Sequence, residues 1–377
     1  ATLEAWDDRR APETIDLSAD QRGRIENRPL GAMGIIGPFN FPVHLIQGHL
    51  APALLAGNTV VIKPSELTPA AGATLVAAWE AAGLPPGVVN LVNGGREVGE
   101  AMVADPRLAG LAFTGSRRTG VALHEALAGR PEVLLALEMG GNNPLVAWPP
   151  LDAAAAAPSI AESAFATAGQ RCTCTRRLIV PDDETGRSMI EAVVAAAQKL
   201  TVGPPEANPS PFMGPLITAE AAEATLNHQG RLETAGGELL LACDRVEGCA
   251  AALSPGIIDV TEVESVDDQE YFGPLLLVQR VADVQAAITA ANATRYGLAA
   301  GLFSGDDVLW ERFRRDVHAG VIHRNRPTTG ASGRLPFGGV GESGNHRPAG
   351  WWSVDYCADP IAVVEAEPPT GEESGDG

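Results

Sequence analysis

The residues best suited to covalent chemistry lie in one short segment, AGQRCTC, at positions 168–174. A thiol on a glycine-containing turn is exposed enough to react, and nearby cationic or N–H groups would favour its nucleophilic thiolate form. The two cysteines could instead be metal ligands or core residues. A structural zinc site needs Cys-x2–4-Cys spacing and a second ligand pair, and no such set is evident among the seven histidines. The residues thus disfavour a metal and leave Cys172 as a nucleophile or a core residue.

A carboxylate and an amide elsewhere in the chain could assist such a nucleophile. Glu138 in LEMGGNNP ends a candidate strand directly before a Gly-Gly turn. A carboxyl group held beside apolar residues can have a raised pKa and act as a general base, although a capping or ion-pairing role is equally consistent with the sequence. Asn40 in GPFNFP is an uncharged amide among apolar residues. We expect it either to satisfy a turn or to donate to an oxyanion.

Two further segments are typical of nucleotide sites. FTGSRRTG, residues 113–120, leads from a candidate strand through a Gly-x-x-x-x-Gly turn into a helix, where backbone N–H groups could meet a phosphate. It differs from a P-loop and from the Gly-x-Gly-x-x-Gly fingerprint, so an ordinary βα turn remains the alternative. Lys63 and Glu66 in KPSE follow another candidate strand and could bind a ribose diol or form a solvated ion pair. The charge of Glu66 favours NAD over NADP, because it would repel a 2′-phosphate.

The elements that must position these residues alternate between short apolar runs and longer Ala-rich stretches. This alternation predicts successive β-α units and a parallel, doubly wound sheet. In the first series we predict a helix from Thr68 and Pro69 to Gly83, and strands at 31–37, 58–63, 88–92, 108–114 and 133–138. In a second series, beyond a domain junction near Gly140, we predict strands at 144–148, 177–180, 273–278 and 320–323, and helices at 153–169, 188–200 and 281–291.

Composition limits the classes of partner. The 377 residues fit two domains, and 27 Lys and Arg against 47 Asp and Glu give a net charge of −20. A polyanion such as nucleic acid is therefore an unexpected partner. Residues 29–62 contain no Asp, Glu, Lys or Arg, but prolines at 38, 42 and 52 interrupt the stretch. We interpret it as buried globular core, not as a membrane helix.

The ends of the chain carry their own predictions. The first ten residues, ATLEAWDDRR, have neither signal-peptide nor transit-peptide features, and the five cysteines are sparse. A reducing cytoplasm is therefore expected. A chain that starts at Ala1 is expected to be a fragment or a processed product. The acidic, Gly- and Pro-rich stretch from Glu365 is predicted to be a disordered tail.

Taken together, the motifs resemble those of the aldehyde dehydrogenase superfamily. They occur in the family's order as GPFNFP, KPSE, FTGS, LEMGG, GQRC, EYFGP and PFGGVGESG. Within the family, LEMGGNNP, AGQRCTC and SGNHRPAGWWSVDYC most resemble the succinylglutamate semialdehyde dehydrogenases of arginine catabolism. The resemblance implies NAD-dependent oxidation of that semialdehyde. The alternatives are oxidation of another semialdehyde, reduction of an acyl phosphate, and a non-catalytic nucleotide-binding or assembly protein. Glu138 disfavours the second, because an acyl-phosphate reductase needs no hydrolytic base.

The resemblance also implies an architecture. The fold would be α/β, with two doubly wound parallel-sheet domains and a β hairpin for oligomerisation. The implied divisions are the hairpin in 1–30, an NAD-binding domain in 31–139, a catalytic domain in 140–335, and a C-terminal return segment with an acidic tail in 336–377. A homodimer or higher homo-oligomer follows from the hairpin. Family members have a longer segment before GPFNFP, so the chain is expected to be a fragment or a naturally shortened enzyme.

Roles for single residues follow from the same resemblance. Cys172 would attack the aldehyde, Asn40 would hold the oxyanion, and Glu138 would activate the hydrolytic water. The implied cofactor-binding residues are Lys63, Glu66, Gly115, Ser116, Glu270, Phe272 and Phe337. The implied substrate carries carboxylates, so Arg171, Arg347 and His346 are candidate contacts, with a helix-capping role the alternative for Arg171 and a surface position that for Arg347. No metal is implied, and Cys174 would be a packing residue.

Overall fold

The computed structural model describes residues 1–18 and 20–366. It begins with α1 (Thr2–Arg10), followed by β1 (Glu13–Asp16) and β2 (Gln21–Pro29), which form an antiparallel hairpin. The hairpin lies within the predicted region 1–30 and is preceded there by a helix that the sequence analysis did not predict. Glu4 lies in the first turn of α1 and Arg9 and Arg10 in the last, where their charges complement the helix dipole. Both arginines also pair with Asp355 near the other end of the chain.

Residues 31–139 alternate between strands and helices. In chain order these are β3 (Ala32–Ile36), α2 (His44–Leu55), β4 (Thr59–Lys63), α3 (Pro69–Ala81), β5 (Val89–Leu91), α4 (Arg96–Ala104), β6 (Leu108–Gly115), α5 (Arg117–Leu127) and β7 (Leu134–Met139). The five strands form a parallel sheet in the order β5-β4-β3-β6-β7. The predicted strands agree with these to within one residue at each end. The order reverses between β3 and β6, which makes the sheet doubly wound with its switch point there.

A second, larger sheet is built from the next part of the chain. Its elements are β8 (Pro144–Ala147), α6 (Ala153–Phe165), β9 (Arg177–Pro181), α7 (Glu184–Ala197), α8 (Ala219–Thr234), β10 (Glu238–Leu241), β11 (Gly256–Asp259), β12 (Leu275–Val281), α9 (Val284–Asn292), β13 (Ala299–Phe303), α10 (Asp307–Asp316) and β14 (Val321–Arg324). The described strands pair in the order β10-β11-β12-β9-β8-β13-β14, and all neighbours are parallel except β10 and β11. The predicted α/β class with parallel sheets is confirmed.

Two predicted helices begin elsewhere than expected. The helix predicted at 188–200 starts at Glu184, because Asp183 caps it by accepting hydrogen bonds from the N–H groups of Thr185 and Gly186. The helix predicted at 281–291 starts at Val284 for the same reason, with Asp283 as its cap. An N-terminal acidic cap thus moved one start earlier and the other later than the Ala-rich runs suggested.

The C-terminal segment returns to the first sheet. It contains β15 (Pro336–Phe337), β16 (Ala349–Gly350) and β17 (Ala358–Ala366). β17 pairs antiparallel with β2, and together with β1 they form a three-stranded sheet. Glu365 and Ala366 belong to β17, so the prediction of a disordered tail is wrong for these two residues. The rest of the predicted tail, 367–377, lies outside the described residues.

The core on one face of the first sheet is shared between distant parts of the chain. Ile35 and Ile62 of the sheet and Ile46 and Leu50 of α2 are fully buried there, so part of the uncharged stretch 29–62 belongs to the core, while others of its residues, such as Val43, are exposed. Tyr356 and nearby residues just before β17 complete the same cluster. The chain leaves the first sheet at Met139 and enters the second at Pro144, while the domain boundaries themselves stay a prediction.

Candidate active site

The predicted site residues meet at the carboxyl edge of the first sheet. Lys63 ends β4, Gly115 ends β6, and Glu138 lies beside Thr114 near the end of β7. The carboxyl edge of a doubly wound sheet at its switch point is where ligands bind. A cavity of about 1330 Å³ opens there. It is lined by the predicted residues Asn40, Lys63, Glu66, Gly115, Ser116, Glu138, Cys172, Glu270 and Phe272.

A strained turn delivers Cys172 to this cavity from the second sheet. After α6, Thr167, Ala168 and Gly169 have φ values of 56°, 54° and 73°, a left-handed run that L-residues rarely adopt. A Cβ on Gly169 would lie 2.2 Å from the carbonyl oxygen of Gly273, so only glycine fits at that position. Backbone strain of this kind persists where the surroundings enforce it, which here places the thiol-bearing residue at the cavity wall.

Asn143 holds this turn in place, and sequence reasoning assigned it no role. Its Nδ2 donates hydrogen bonds to the carbonyl oxygens of Cys172 at 2.7 Å and Cys174 at 2.9 Å. Its Oδ1 accepts one from the N–H of Ala299 at 3.0 Å. The signal was present as the second Asn of LEMGGNNP, because a buried amide needs a partner for each of its polar atoms.

Asn40 approaches the same turn from the first sheet. Its Nδ2 donates a hydrogen bond to the carbonyl oxygen of Gln170 at 3.0 Å, two residues before the thiol. One of the two N–H bonds of that amide is used in this contact, and the other is available to a group in the cavity. Phe39 next to it packs edge-on against Phe272, with ring centroids 6.0 Å apart.

The carboxyl group of Glu138 is buried beside the thiol. The residue is 1% exposed, and its Oε1 has no hydrogen-bond partner among the described residues. Burial and the nearby charge of Glu270 raise the pKa of Glu138 to about 8. Burial also raises the pKa of the Cys172 thiol well above its usual value, and the charges of Glu138 and Glu270 act in the same direction. A carboxyl group with a pKa near neutrality can take a proton from water.

Glu270 faces the first sheet from the loop before β12. It accepts a hydrogen bond from the N–H of Gly141 at 3.2 Å, and a Cβ on Gly140 would lie 1.7 Å from its Oε2, so glycine leaves room for the carboxylate. Burial raises the pKa of Glu270 to about 7, while the charge of Arg176 and the N–H of Gly141 lower it. Arg176, also absent from the sequence prediction, is its buried cation, with Nη2 3.9 Å from Oε1.

The remaining part of the cavity fits a dinucleotide. Lys63 is buried, donates to the carbonyl oxygen of Pro64 and lies 3.5 Å from the exposed carboxylate of Glu66. Ser116 caps α5 by accepting a hydrogen bond from the N–H of Thr119. The free N–H groups of that first helical turn and its positive dipole end suit a phosphate, and a carboxylate beside a lysine suits a ribose diol.

Four predicted residues do not line this cavity among the described residues. The guanidinium of Arg171 lies over the ring of Phe41 at 5.4 Å, and its Nε donates to the hydroxyl of Thr167. Arg347 donates to the carbonyl oxygen of Gly339, and both it and His346 have positive φ. Phe337 is buried in β15.

The described residues show neither a cluster of metal ligands nor a membrane-spanning helix. Residues 1–18 and 20–366 contain no group of three or more His, Cys, Asp or Glu side chains placed to hold a metal ion. Over the same part of the chain, no helix combines the length and apolarity needed to cross a membrane. Cys174 is fully buried, where its thiol packs in the core.

Comparison with known proteins gives consistent matches. Residues 2–362 match the aldehyde dehydrogenase family. An N-succinylglutamate 5-semialdehyde dehydrogenase of Caulobacter sp. (strain K31) is 52% identical, over 97% of this chain and 75% of that protein. One of Hahella chejuensis is 49% identical, over 97% and 74%.

Solved structures are similar over the same part of the chain. Thermus thermophilus 1-pyrroline-5-carboxylate dehydrogenase has a TM-score of 0.90 at 32% identity, covering 97% of this chain and 72% of that one. PnpE, solved in complex with nicotinamide adenine dinucleotide, has a TM-score of 0.90 at 29% identity, covering 96% and 74%.

Proposed function

Because the chain belongs to the aldehyde dehydrogenase family, we propose that it oxidises N-succinylglutamate 5-semialdehyde to N-succinylglutamate with NAD. The family inferred from the seven motifs is confirmed, and with it an aldehyde-oxidising enzyme that uses a nicotinamide cofactor. The substrate follows from relatives about half identical over nearly the whole chain. The observation that carries the chemistry is that Cys172, Glu138 and Asn40 meet at one cavity.

In the first half-reaction, the thiolate of Cys172 attacks the aldehyde carbon. The Asn40 amide and the N–H of Cys172 are the donors that hold the developing oxyanion. The left-handed turn and the two hydrogen bonds from Asn143 keep the nucleophile from moving away from that amide. Bound NAD accepts the hydride, which leaves a thioester on Cys172.

In the second half-reaction, Glu138 takes a proton from the water that cleaves the thioester. Its Oε1 has no hydrogen-bond partner among the described residues, and its raised pKa suits it to this task. The products are the carboxylic acid and the free thiol. A carboxyl group placed for hydrolysis supports the oxidising direction over reduction of an acyl phosphate.

The cofactor-binding assignments follow the line of the cavity. Lys63 and Glu66 hold the adenosine ribose, and the N-terminus of α5 with Gly115 and Ser116 holds the pyrophosphate. Glu270 binds the nicotinamide ribose. Phe272 and Phe337 complete the nicotinamide side, and of these two only Phe272 contacts the cavity among the described residues.

Recognition of the substrate's distal carboxylates is assigned to Arg171. It is adjacent to the nucleophile, its guanidinium is held over Phe41, and only its Nε donates within the described chain. Arg347 and His346 are weaker candidates, because Arg347 donates to its own segment.

Assembly and location belong to the same proposal. The exposed sheet of β1, β2 and β17 has free edges at β1 and β17, which supports a homodimer or higher homo-oligomer. The sparse cysteines, all of them free in the structure, fit the cytoplasm.

The test compares two aldehydes by following NADH formation. The parent should turn over N-succinylglutamate 5-semialdehyde with a higher kcat/KM than propanal, and Cys172→Ser should turn over neither. Arg171→Leu should lower kcat/KM for the dianionic substrate by roughly 2–4 kcal/mol of transition-state binding and hardly affect propanal. Equal losses for both aldehydes would remove the charge-recognition argument. A parent that prefers propanal would remove the substrate assignment.

A further inference from the structure

Arg176 is a buried cation that none of the catalytic roles above uses. It follows the nucleophile turn directly and is 4% exposed, and within residues 1–18 and 20–366 its guanidinium contacts main-chain oxygens, one carboxylate and one ring. A charge withdrawn from water costs several kcal/mol unless its surroundings compensate it, so the contacts around Arg176 show what it is there to hold.

The first group of contacts anchors the guanidinium to the nucleophile turn. Nη2 donates to the carbonyl oxygen of Gly169 at 2.7 Å and to that of Arg171 at 3.1 Å. The first carbonyl belongs to Gly169, which has a left-handed backbone, and the second to Arg171, the residue before the thiol. Both hydrogen bonds come from Nη2, and together they hold this end of the planar guanidinium against the turn that bears Cys172.

The second group reaches across to the loop that carries Glu270. Nη1 donates to the carbonyl oxygen of Gly273 at 3.3 Å, and the guanidinium lies over the ring of Phe272 with Cζ 5.3 Å from its centroid. Nη2 is 3.9 Å from Glu270 Oε1, an ion pair without a direct hydrogen bond. The only direct hydrogen-bond donor to that carboxylate in the described chain is the N–H of Gly141.

We propose that Arg176 is the positioning residue for Glu270, holding its carboxylate at the nicotinamide end of the cavity by bracing residues 270–273 against the turn that bears Cys172. The inference rests on the proposed cofactor role of Glu270. It predicts that Arg176 affects cofactor binding through Glu270 and not through a contact of its own with the cofactor. Burial raises the pKa of the Glu270 carboxyl group, and the charge of Arg176 lowers it, which favours the carboxylate form.

Arg177 is a matched control on the next residue. It is also buried, and its guanidinium donates to the carbonyl oxygens of Asn142, Ala290 and Ala291. These contacts tie β9 to the C-terminal end of α9. The two arginines therefore share burial, charge and the number of carbonyl partners, and differ in whether they reach Glu270.

The experiment is a double-mutant cycle on NAD affinity, measured by titration of intrinsic fluorescence without substrate. Arg176→Lys keeps the charge but cannot bridge the two loops, and we expect it to raise the NAD Kd about tenfold. Glu270→Gln should have a similar effect. The double variant should also be only about tenfold weaker than the parent, because the two residues act as one unit. Arg177→Lys should leave the Kd within about twofold and be additive with Glu270→Gln.

Three results would overturn the proposal. Additive losses of Arg176→Lys and Glu270→Gln, near a hundredfold together, would mean that Arg176 acts elsewhere. An unchanged Kd in Glu270→Gln, or equal losses in the two lysine variants, would remove the positioning role. A melting curve of each variant keeps loss of fold distinct from loss of coupling. The cycle uses no aldehyde, so its result is independent of the test of the proposed function. The positioning role can be wrong while the protein still forms NADH from N-succinylglutamate 5-semialdehyde, and it can be right while the protein does not.

Discussion

Replacing Glu138 by Gln should have opposite effects on the two chemical steps at Cys172. The change keeps the shape of a side chain that is 1% exposed and removes its charge and its basicity. Hydrolysis of the thioester should slow by about 100-fold or more, as for loss of a general base. The thiol, however, should become more reactive, because the negative charge of Glu138 is one of the causes that raise the pKa of Cys172.

The size of the second effect depends on pH. With a pKa of about 8, the carboxyl group of Glu138 is mostly ionised at pH 9 and mostly neutral at pH 6.5. Removal of this charge lowers the thiol pKa, so the thiolate fraction rises by more than the intrinsic nucleophilicity of the thiolate falls. Alkylation of Cys172 should therefore be faster than in the parent at pH 9, and nearly equal at pH 6.5.

Two assays separate the steps. Alkylation is followed with iodoacetamide in the absence of NAD, and thioester hydrolysis from an NADH burst followed by a slow steady state. Glu270→Gln is the control for charge alone, since it should also accelerate alkylation at pH 9 but should not produce the burst. Slower alkylation of the Glu138→Gln protein at pH 9 would refute the reasoning, because it would show that the carboxylate accepts the thiol proton. Unchanged steady-state turnover would remove Glu138 as the hydrolytic base.

Three other predictions concern the support of the site. Asn143→Ala leaves buried main-chain groups without partners, and we expect a loss of about 2–5 kcal/mol in urea unfolding and a lower alkylation rate of Cys172; unchanged values of both would contradict its role. Burial lowers the pKa of His49 to about 4, so the unfolded chain binds its proton first as the pH falls below 6.5. His49→Gln should therefore lose roughly 2 kcal/mol less than the parent between pH 7 and pH 4.5 in the same measurement, and an equal loss would contradict this. Gly140→Ala places a Cβ on the carboxylate of Glu270, so calorimetric titration should show weaker NAD binding, with Gly129→Ala in open space as the control.

The first sheet was predictable because each of its strands is a short apolar run bounded by polar turn residues. In a parallel sheet covered on both faces, such runs are uninterrupted, so their ends are sharp in the sequence. Helix starts were less predictable. Asp183 and Asp283 cap their helices, and neither capping contact could be read from the Ala-rich runs that follow.

The N-terminal helix was not predicted, for a different reason. Residues 2–10 have little apolar pattern of their own, and the helix is held by contacts of Arg9 and Arg10 with Asp355 and of Arg9 with the ring of Trp352. Contacts separated by about 345 positions leave no local trace in the sequence. Tertiary packing, not intrinsic propensity, therefore decides the state of this segment.

Within the site, motifs indicated which residues meet but not how they are held. Cys172, Glu138 and Asn40 were named from their segments, and the structure brings all three to one cavity. Asn143 and Arg176 act through hydrogen bonds to main-chain oxygens, which depend on the course of the backbone and not on side-chain type. Arg347 shows the converse. It has a suitable charge and lies in a matching motif, but its guanidinium donates to the carbonyl oxygen of Gly339, and it does not line the cavity among the described residues.

The return of the C-terminal segment to the first sheet has a consequence for the order of folding. Tyr356 and Cys357 complete the core between α2 and the first sheet, so that sheet depends on residues made more than 200 positions after its last strand, and β17 pairs with β2 in the separate three-stranded sheet. On the ribosome, the first sheet emerges with part of its apolar face open, while the elements of the second sheet are still being made. Closing such a long loop is entropically costly and slow. The second sheet, whose strands span 144–324, can therefore reach its native packing before the unit that precedes it in the chain.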